Sequence, residues 1–166
     1  MPSGEETGAE ETGAETVAEQ LASVLRGYRM AMSAALTAEG YGPIMPAAAW
    51  LLLAMDREPG TVNALAARLG LTKQAVSRLA DRLVVLGYCD RRRDEGNRRR
   101  VRLRTSEAGT RVAAVLRAGL DRADRRFLGE LTGAEREKFR RALAGMAGAA
   151  RAGRAGDSGA GDEPEE

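Results

Sequence analysis

The fold is decided by residues 61–109, which read TVNALAARLGLTKQAVSRLADRLVVLGYCDRRRDEGNRRRVRLRTSEAG. The first half of this stretch predicts two short helices. Asn63 can cap a helix over residues 64–69, and Thr72 is a favourable N-cap for a second helix that runs to about Leu86. Gly70 lies between them and permits a sharp turn. Two helices joined by a tight, glycine-containing turn are typical of a helix-turn-helix.

The second of these helices has an apolar face and a polar face. Steps of three and four place these residues on the buried side: Val76, Leu79, Leu83 and Leu86. The opposite side supplies the candidate DNA contacts Thr72, Lys73, Gln74, Ser77, Arg78 and Arg82. In the major groove glutamine can bond adenine, and arginine or lysine can bond guanine, each pair giving about 1–3 kcal/mol of discrimination. A merely solvated helix face is the alternative, but the turn before it and the basic hairpin after it favour DNA recognition.

The basic hairpin is predicted from two strands, over residues 88–93 and 98–104, that are joined by a turn at 94–97. Val101 and Leu103 alternate with arginines, as in a half-buried strand. Seven arginines fall within residues 91–102, more than the alternative role of protecting an edge strand requires. A basic hairpin after a recognition helix is a wing, which binds phosphates and the minor groove. Its candidate DNA contacts are Arg92, Arg93, Asn97, Arg98, Arg99 and Arg100.

The rest of the chain reads as helices between two acidic ends. Apolar periodicity predicts a helix over residues 17–38 and a short helix within 45–55 that is buried on several sides. It also predicts a helical segment over 106–151, whose last helix opens with a Thr-x-x-Glu capping box at 132–135. The division of the chain is therefore a disordered acidic tail at 1–15, one domain at 16–152 with a DNA-binding lobe at 43–105 and dimerisation helices at 17–38 and 106–151, and a second disordered acidic tail at 153–166.

Charge is segregated along the chain, although the formal net charge is only +2. Residues 1–16 carry five acids and no base, a balance of −5, and residues 154–166 carry five acids and one base, a balance of −4. Residues 57–104 hold thirteen bases and five acids, a balance of +8. This concentration of positive charge is the electrostatic footprint of a nucleic-acid surface.

Several classes of protein are disfavoured by what the sequence lacks. It has no histidine, no paired-carboxylate motif and no nucleophile motif, so we expect no enzyme and no catalytic residues. The single cysteine, Cys89, makes no internal disulfide and no ordinary zinc site, so we expect no metal and no other cofactor. Cys89 could be an oxidation sensor, but its position in the first wing strand favours a small buried hydrophobe. No signal peptide or membrane span is visible, so we expect a cytoplasmic protein without a membrane partner.

Residues 61–109 resemble the winged-helix repressors of the multiple-antibiotic-resistance regulator (MarR) family. They match the family's order of helix, turn, recognition helix, glycine, strand, Asp-containing wing, Arg-Arg and Leu-x-Thr, followed by a helix start with glycine. With the flanking helices, the resemblance covers residues 17–150. The wing tip departs from the family, because Asp94-Glu95-Gly96-Asn97 stands where Asp-Pro and a later Asp are usual. Which wing arginine enters the minor groove therefore stays open.

The resemblance implies a two-fold dimer, with an effector site between the dimerisation helices and the DNA-binding lobe. We expect the dimer axis to be built from apolar stripes that contain Leu21, Leu25, Tyr28, Val112, Leu116 and Leu143. Candidate residues of the effector pocket are Tyr28, Met32, Tyr41, Met45 and Trp50. Ordinary core packing is the alternative role for each of these five side chains.

Taken together, these patterns predict a mainly α protein with a small β-wing, in the winged helix-turn-helix class. The expected function is that of a homodimeric, sequence-specific transcriptional regulator. It would bind double-stranded DNA at a near-palindromic operator, as a repressor released by a small-molecule effector. The alternative is an architectural or DNA-bridging protein that needs no effector.

Overall fold

The computed structural model describes residues 15–93 and 100–157. Of the tails predicted at 1–15 and 153–166, residues 1–14 and 158–166 lie outside the described residues. So does the wing tip at 94–99, with its candidate contacts Asn97, Arg98 and Arg99. The described elements are α1 (Val17–Ala38), α2 (Pro46–Arg57), β1 (Gly60–Thr61), α3 (Val62–Leu69), α4 (Lys73–Val85), β2 (Cys89–Arg93), β3 (Val101–Thr105), α5 (Glu107–Phe127) and α6 (Gly133–Asp157). This confirms the predicted class, mainly α with a small β-wing.

Polar caps set where the helices begin. The Thr72 hydroxyl accepts a hydrogen bond from the backbone N–H of Ala75 at 3.1 Å, which confirms the predicted start of α4. The predicted cap of α3 is wrong: Thr61, not Asn63, accepts from the backbone N–H of Ala64, at 3.3 Å. Both residue types can cap, and pairing of Thr61 in β1 holds it in the extended conformation that an N-cap requires.

The sheet has three antiparallel strands in the order β1-β3-β2. The short strand β1 was missed, because Gly60 follows a proline and reads as the end of a turn. In the structure Gly60 pairs with Leu103, on the opposite side of β3 from Arg91. Leu103 is buried between them, whereas Val101 is 45% exposed because it lies beyond the end of β1. The predicted buried face of this half-buried strand is therefore right at Leu103 and wrong at Val101.

The core is built around α2. Leu51, Leu52 and Met55 are fully buried, and α2 contacts α3, α4, α5 and β3. This confirms the prediction of a short helix buried on several sides. Each such side chain contributes about 1.5–3 kcal/mol through burial. The other large, fully buried side chains are Leu65, Val76, Leu83, Leu103, Val112 and Leu116.

Three residues assigned from periodicity have other environments. Leu86 was predicted on the buried stripe of α4, but it is the C-cap and is 48% exposed, because the helix ends at Val85. Val112 and Leu116 were predicted to line the dimer axis, but they are fully buried in the subunit's own core. Both belong to α5, whose apolar face is covered by α1 and α2.

The last helix, α6, is the most isolated element among the described residues. It opens with the predicted capping box, in which the Thr132 backbone N–H donates to Glu135 Oε2 at 2.8 Å. It runs to Asp157, beyond the predicted end near residue 151. No other described element packs along it. Within the described ranges, no helix combines the length and apolarity that a membrane crossing needs.

Candidate nucleic-acid interface

The exposed face of α4 carries most of the predicted recognition residues. Lys73, Gln74 and Arg78 are exposed on the first two turns, and Ser77 is half-buried beside them. The Thr72 side chain is engaged in the cap, so its contribution to this face is to begin the helix here. The surface therefore offers an ammonium, an amide and a guanidinium group on one helix start, which can read base edges in a major groove.

Arg82 has a different environment from the other candidates on α4. Its Nη1 contacts the sulfur of Met45, just before α2. Together with Pro43, Val85 and other residues, these two side chains line an open groove of about 390 Å³. The structure thus brings Arg82, predicted as a DNA contact, together with Met45, predicted as an effector contact.

The arginines of the wing divide into two sets. Arg92, Arg93 and Arg100 are exposed and can reach phosphates. Arg91 instead pairs with Asp81 of α4 at 2.5 Å, and Arg102 donates to the Pro59 carbonyl oxygen at 2.9 Å. The first of these contacts holds the hairpin against α4, and the second holds it against the turn between α2 and β1. They account for two of the seven arginines that the sequence had grouped together.

A cleft of about 590 Å³ lies between the start of α3 and the base of the wing. Its lining includes Thr61, Asn63 and Arg100. Hydroxyl, amide and guanidinium groups at a helix start form a surface that can accept a phosphate. Sequence reasoning missed this cleft because its two sides are separated by about forty residues, and only the pairing of β1 with β3 brings them together.

The candidate effector residues lie in different surroundings in the structure. A cavity of about 270 Å³ opens between α1, α2 and α5, and Met32 is the candidate that lines it. Tyr41 and Trp50 are half-buried and pack against the core, as in the alternative interpretation. The cavity is instead lined by these residues: Arg29, Met30, Met32, Ser33, Leu36, Ile44, Pro46, Ala49 and Leu116.

Tyr28 joins α1 to α5. Its hydroxyl donates to Asp124 Oδ1 at 2.6 Å, and its ring meets the edge of Phe127 with the centroids 5.2 Å apart. Burial, together with this hydrogen bond and the nearby carboxylate charge, raises the pKa of Tyr28 to about 12. Tyr28 is therefore a neutral donor that ties the two helices together.

Cys89 is a buried residue of the core. It is 4% exposed, and its sulfur lies 3.8 Å from that of Met55. Burial raises the pKa of the Cys89 thiol to about 11, which keeps it protonated and unreactive near neutral pH. These surroundings fit the small buried hydrophobe that the sequence favours over an oxidation sensor.

Comparison with known proteins gives a consistent result. The MarR family model matches residues 44–100, the stretch from α2 to the wing. A structure of the transcriptional regulator SlyA is 15% identical, with a TM-score of 0.73, covering 84% of this chain and 97% of that one. A structure of MarR is 25% identical, with a TM-score of 0.68, covering 85% and 95%.

A third similar structure contains a bound ligand. The PcaV transcriptional regulator from Streptomyces coelicolor, in complex with its natural ligand, is 25% identical, with a TM-score of 0.60. The similarity covers 83% of this chain and 99% of that one. No protein with a curated description matches the sequence significantly. The similarity to solved structures thus extends over most of the chain, including the helices that flank the wing and the helix-turn-helix.

Proposed function

Because this chain is a MarR-family winged-helix transcriptional regulator, we propose that it acts as a homodimeric repressor of a near-palindromic operator. The observation that carries the proposal is the exposed start of α4, where Lys73, Gln74 and Arg78 stand on a helix capped by Thr72. Arg92 and Arg93 extend the same lobe with positive charge. A chromosomal operator would require the cytoplasmic location that the sequence predicts.

We infer dimerisation from the small number of base pairs that one recognition helix can read and from the exposed apolar surface of the chain. One recognition helix reads only a few base pairs, so a second copy is needed to select a site in a genome. Leu21 and Val24 of α1 are 38% and 42% exposed, and Phe139 and Met146 of α6 are 40% and 46% exposed. Since no described element of the same chain packs along α6, we propose that α1 and α6 form the two-fold interface.

A small-molecule effector is the third part of the proposal. The cavity between α1, α2 and α5 has apolar walls, formed in part by Met32 and Leu116, and Arg29 at its side supplies positive charge. Its volume of about 270 Å³ suits a small ligand rather than a macromolecule. It adjoins both the proposed dimerisation helices and α2 of the lobe. A ligand there could change their relative position and release DNA.

The experiment that tests this function is selection of bound sites from random double-stranded DNA, followed by mapping of bound sites in genomic DNA. We expect an inverted repeat whose half-site centres lie about 10 bp apart, one helical turn. Compounds handled by the products of the adjacent genes are then titrated into the complex, and we expect one class of them to release the DNA. Sequence-indifferent coating of DNA, with no motif, would instead support the architectural alternative.

A further inference from the structure

Four polar side chains meet where the DNA-binding lobe joins α5. We call them the junction cluster: Asp56 near the end of α2, Thr105 at the end of β3, and Thr110 and Arg117 on α5. Asp56 is separated from Thr105 by 49 residues and from Arg117 by 61, so only the tertiary fold brings them together. The first two residues belong to the lobe, and the last two belong to the helix that packs on α1.

The hydrogen bonds of the junction cluster are directional. Asp56 Oδ2 forms an ion pair with Arg117 Nη2, and Asp56 Oδ1 accepts from the Thr105 hydroxyl at 3.3 Å. The hydroxyls of Thr105 and Thr110 are 3.1 Å apart. Because a carboxylate paired with arginine can only accept, the Thr105 hydroxyl donates its single hydrogen to Asp56. The Thr110 hydroxyl is therefore the donor to Thr105. The chain of donors therefore runs from α5 through the wing strand to α2.

The burial of Asp56 separates this cluster from the surface ion pairs. The Asp56 side chain is 10% exposed and that of Arg117 is 46% exposed. By comparison, the pair of Glu107 and Arg111 on the same helix has side chains that are 90% and 60% exposed. A solvated pair of that kind contributes little to any geometry. A nearly buried carboxylate is costly to keep unless it is paired, so it strongly favours the one arrangement in which its partners are in place.

We infer that Asp56 is a positioning residue for DNA recognition, which through Thr105 and Arg117 sets the angle between the DNA-binding lobe and α5. This rests on the proposed function. In the proposed dimer α5 belongs to the framework that relates the two subunits, and α4 moves with the lobe. The apolar contacts between α2 and α5 are not directional, whereas the contacts of Asp56 are. The junction cluster would therefore fix the separation and orientation of the two recognition helices.

The test measures selectivity for operator spacing. The selected operator is compared with versions in which one base pair is added to or removed from the centre, which rotates the half-sites by about 35° relative to each other. The proteins are wild type, Asp56→Asn, Arg117→Gln and Thr105→Val. The controls are Arg111→Gln, which breaks the solvated pair on the same helix, and Thr105→Ser, which keeps the hydroxyl.

We expect the three cluster variants to bind the selected spacing about tenfold more weakly, within the usual range for coupling between sites. Their preference for that spacing over the altered ones should fall by a similar factor. The two controls should keep the wild-type ratio. Loss of stability alone would lower the active fraction on every DNA and leave the ratio unchanged. If Asp56→Asn does not fold, Thr105→Val against Thr105→Ser tests the same contact, since valine is nearly isosteric with threonine.

Unchanged spacing ratios in folded cluster variants would overturn the inference, and so would an equal fall in the Arg111→Gln control. A wild type that selects no operator at all would instead contradict the proposed function. The two failures are therefore distinguishable, because the first requires a wild type that discriminates between spacings.

Discussion

Replacement of Gly109 by alanine tests the contact between the start of α5 and the residues that follow α4. A Cβ added to Gly109 would lie 2.0 Å from the Tyr88 carbonyl oxygen, which belongs to the backbone and cannot rotate away. The same contact is held by Ser106, whose hydroxyl donates to the Gly87 carbonyl oxygen at 2.6 Å and whose N–H donates to Tyr88 at 3.1 Å. The added methyl group would have to push α5 off this site.

The expected change in the free energy of unfolding is the sum of three effects. Overpacking costs about 1–3 kcal/mol. Each of the two hydrogen bonds of Ser106 that the shift weakens is worth about 0.5–1.5 kcal/mol. The higher helix propensity of alanine offsets about 1 kcal/mol of this loss. We therefore expect Gly109→Ala to lower the free energy of unfolding by about 1–5 kcal/mol, and Tm by about 2–20 °C for a chain of this size.

The assay is thermal and urea unfolding, followed by circular dichroism at one protein concentration. The matched control is Gly133→Ala at the start of α6, where an added Cβ meets nothing within 4 Å. That control should change the free energy of unfolding by no more than about 1 kcal/mol, in the stabilising direction. Equal and small shifts of Tm in the two variants would refute the argument from close approach.

Three further predictions concern recognition, assembly and thiol chemistry. Arg78→Ala should reduce the ratio of operator affinity to non-specific affinity, whereas Arg92→Ala should weaken binding to all DNA and lower the salt slope by about one unit per contact. Filter binding over a salt series checks both. An unchanged ratio for Arg78→Ala would show that α4 does not read bases. Leu21→Asp combined with Leu143→Asp should give a monomer that loses operator binding, because charge is introduced into the proposed interface; light scattering beside operator titration measures this, and a wild type that is already monomeric would contradict it. Cys89 should resist a thiol reagent at pH 7–8 in the folded protein and react once urea unfolds it, since burial raises its pKa to about 11; fast reaction in the folded state would contradict this burial.

Local signals located several of the helix ends. The cap Thr72, the glycine Gly70 with positive φ, and the capping box at 132–135 mark helix ends in the structure where the sequence places them. Such signals involve neighbours within four residues, so they can be recognised in the sequence without knowledge of the fold. The choice of Asn63 rather than Thr61 as the cap of α3 was wrong, and β1 was missed. Both are decided by the pairing of β1 with β3 in the tertiary structure.

Side-chain roles were harder to predict than helices. Gln74 and Arg78 could be placed on an exposed face because helical periodicity alone defines that face. The effector candidates were aromatic and methionine residues near a predicted junction, and of these Met32 lines the cavity while Tyr28 is bound to Asp124. Distances between helices are not encoded in the spacing of residues along any one of them.

By itself, then, the sequence determined the order of the helices and the two wing strands, the exposed polar face of α4 and the basic character of the wing, since each depends on residues close together in the chain. The tertiary structure decided which arginines hold the wing, such as Arg91 on Asp81, and which remain exposed, such as Arg92. It also decided that Val112 and Leu116 serve the core of the subunit and that Asp56 meets Thr105 and Arg117. The physical reason is that an apolar stripe or a charged group in the sequence shows only that it needs a partner. The packing of elements that are distant in the chain decides which residue that partner is.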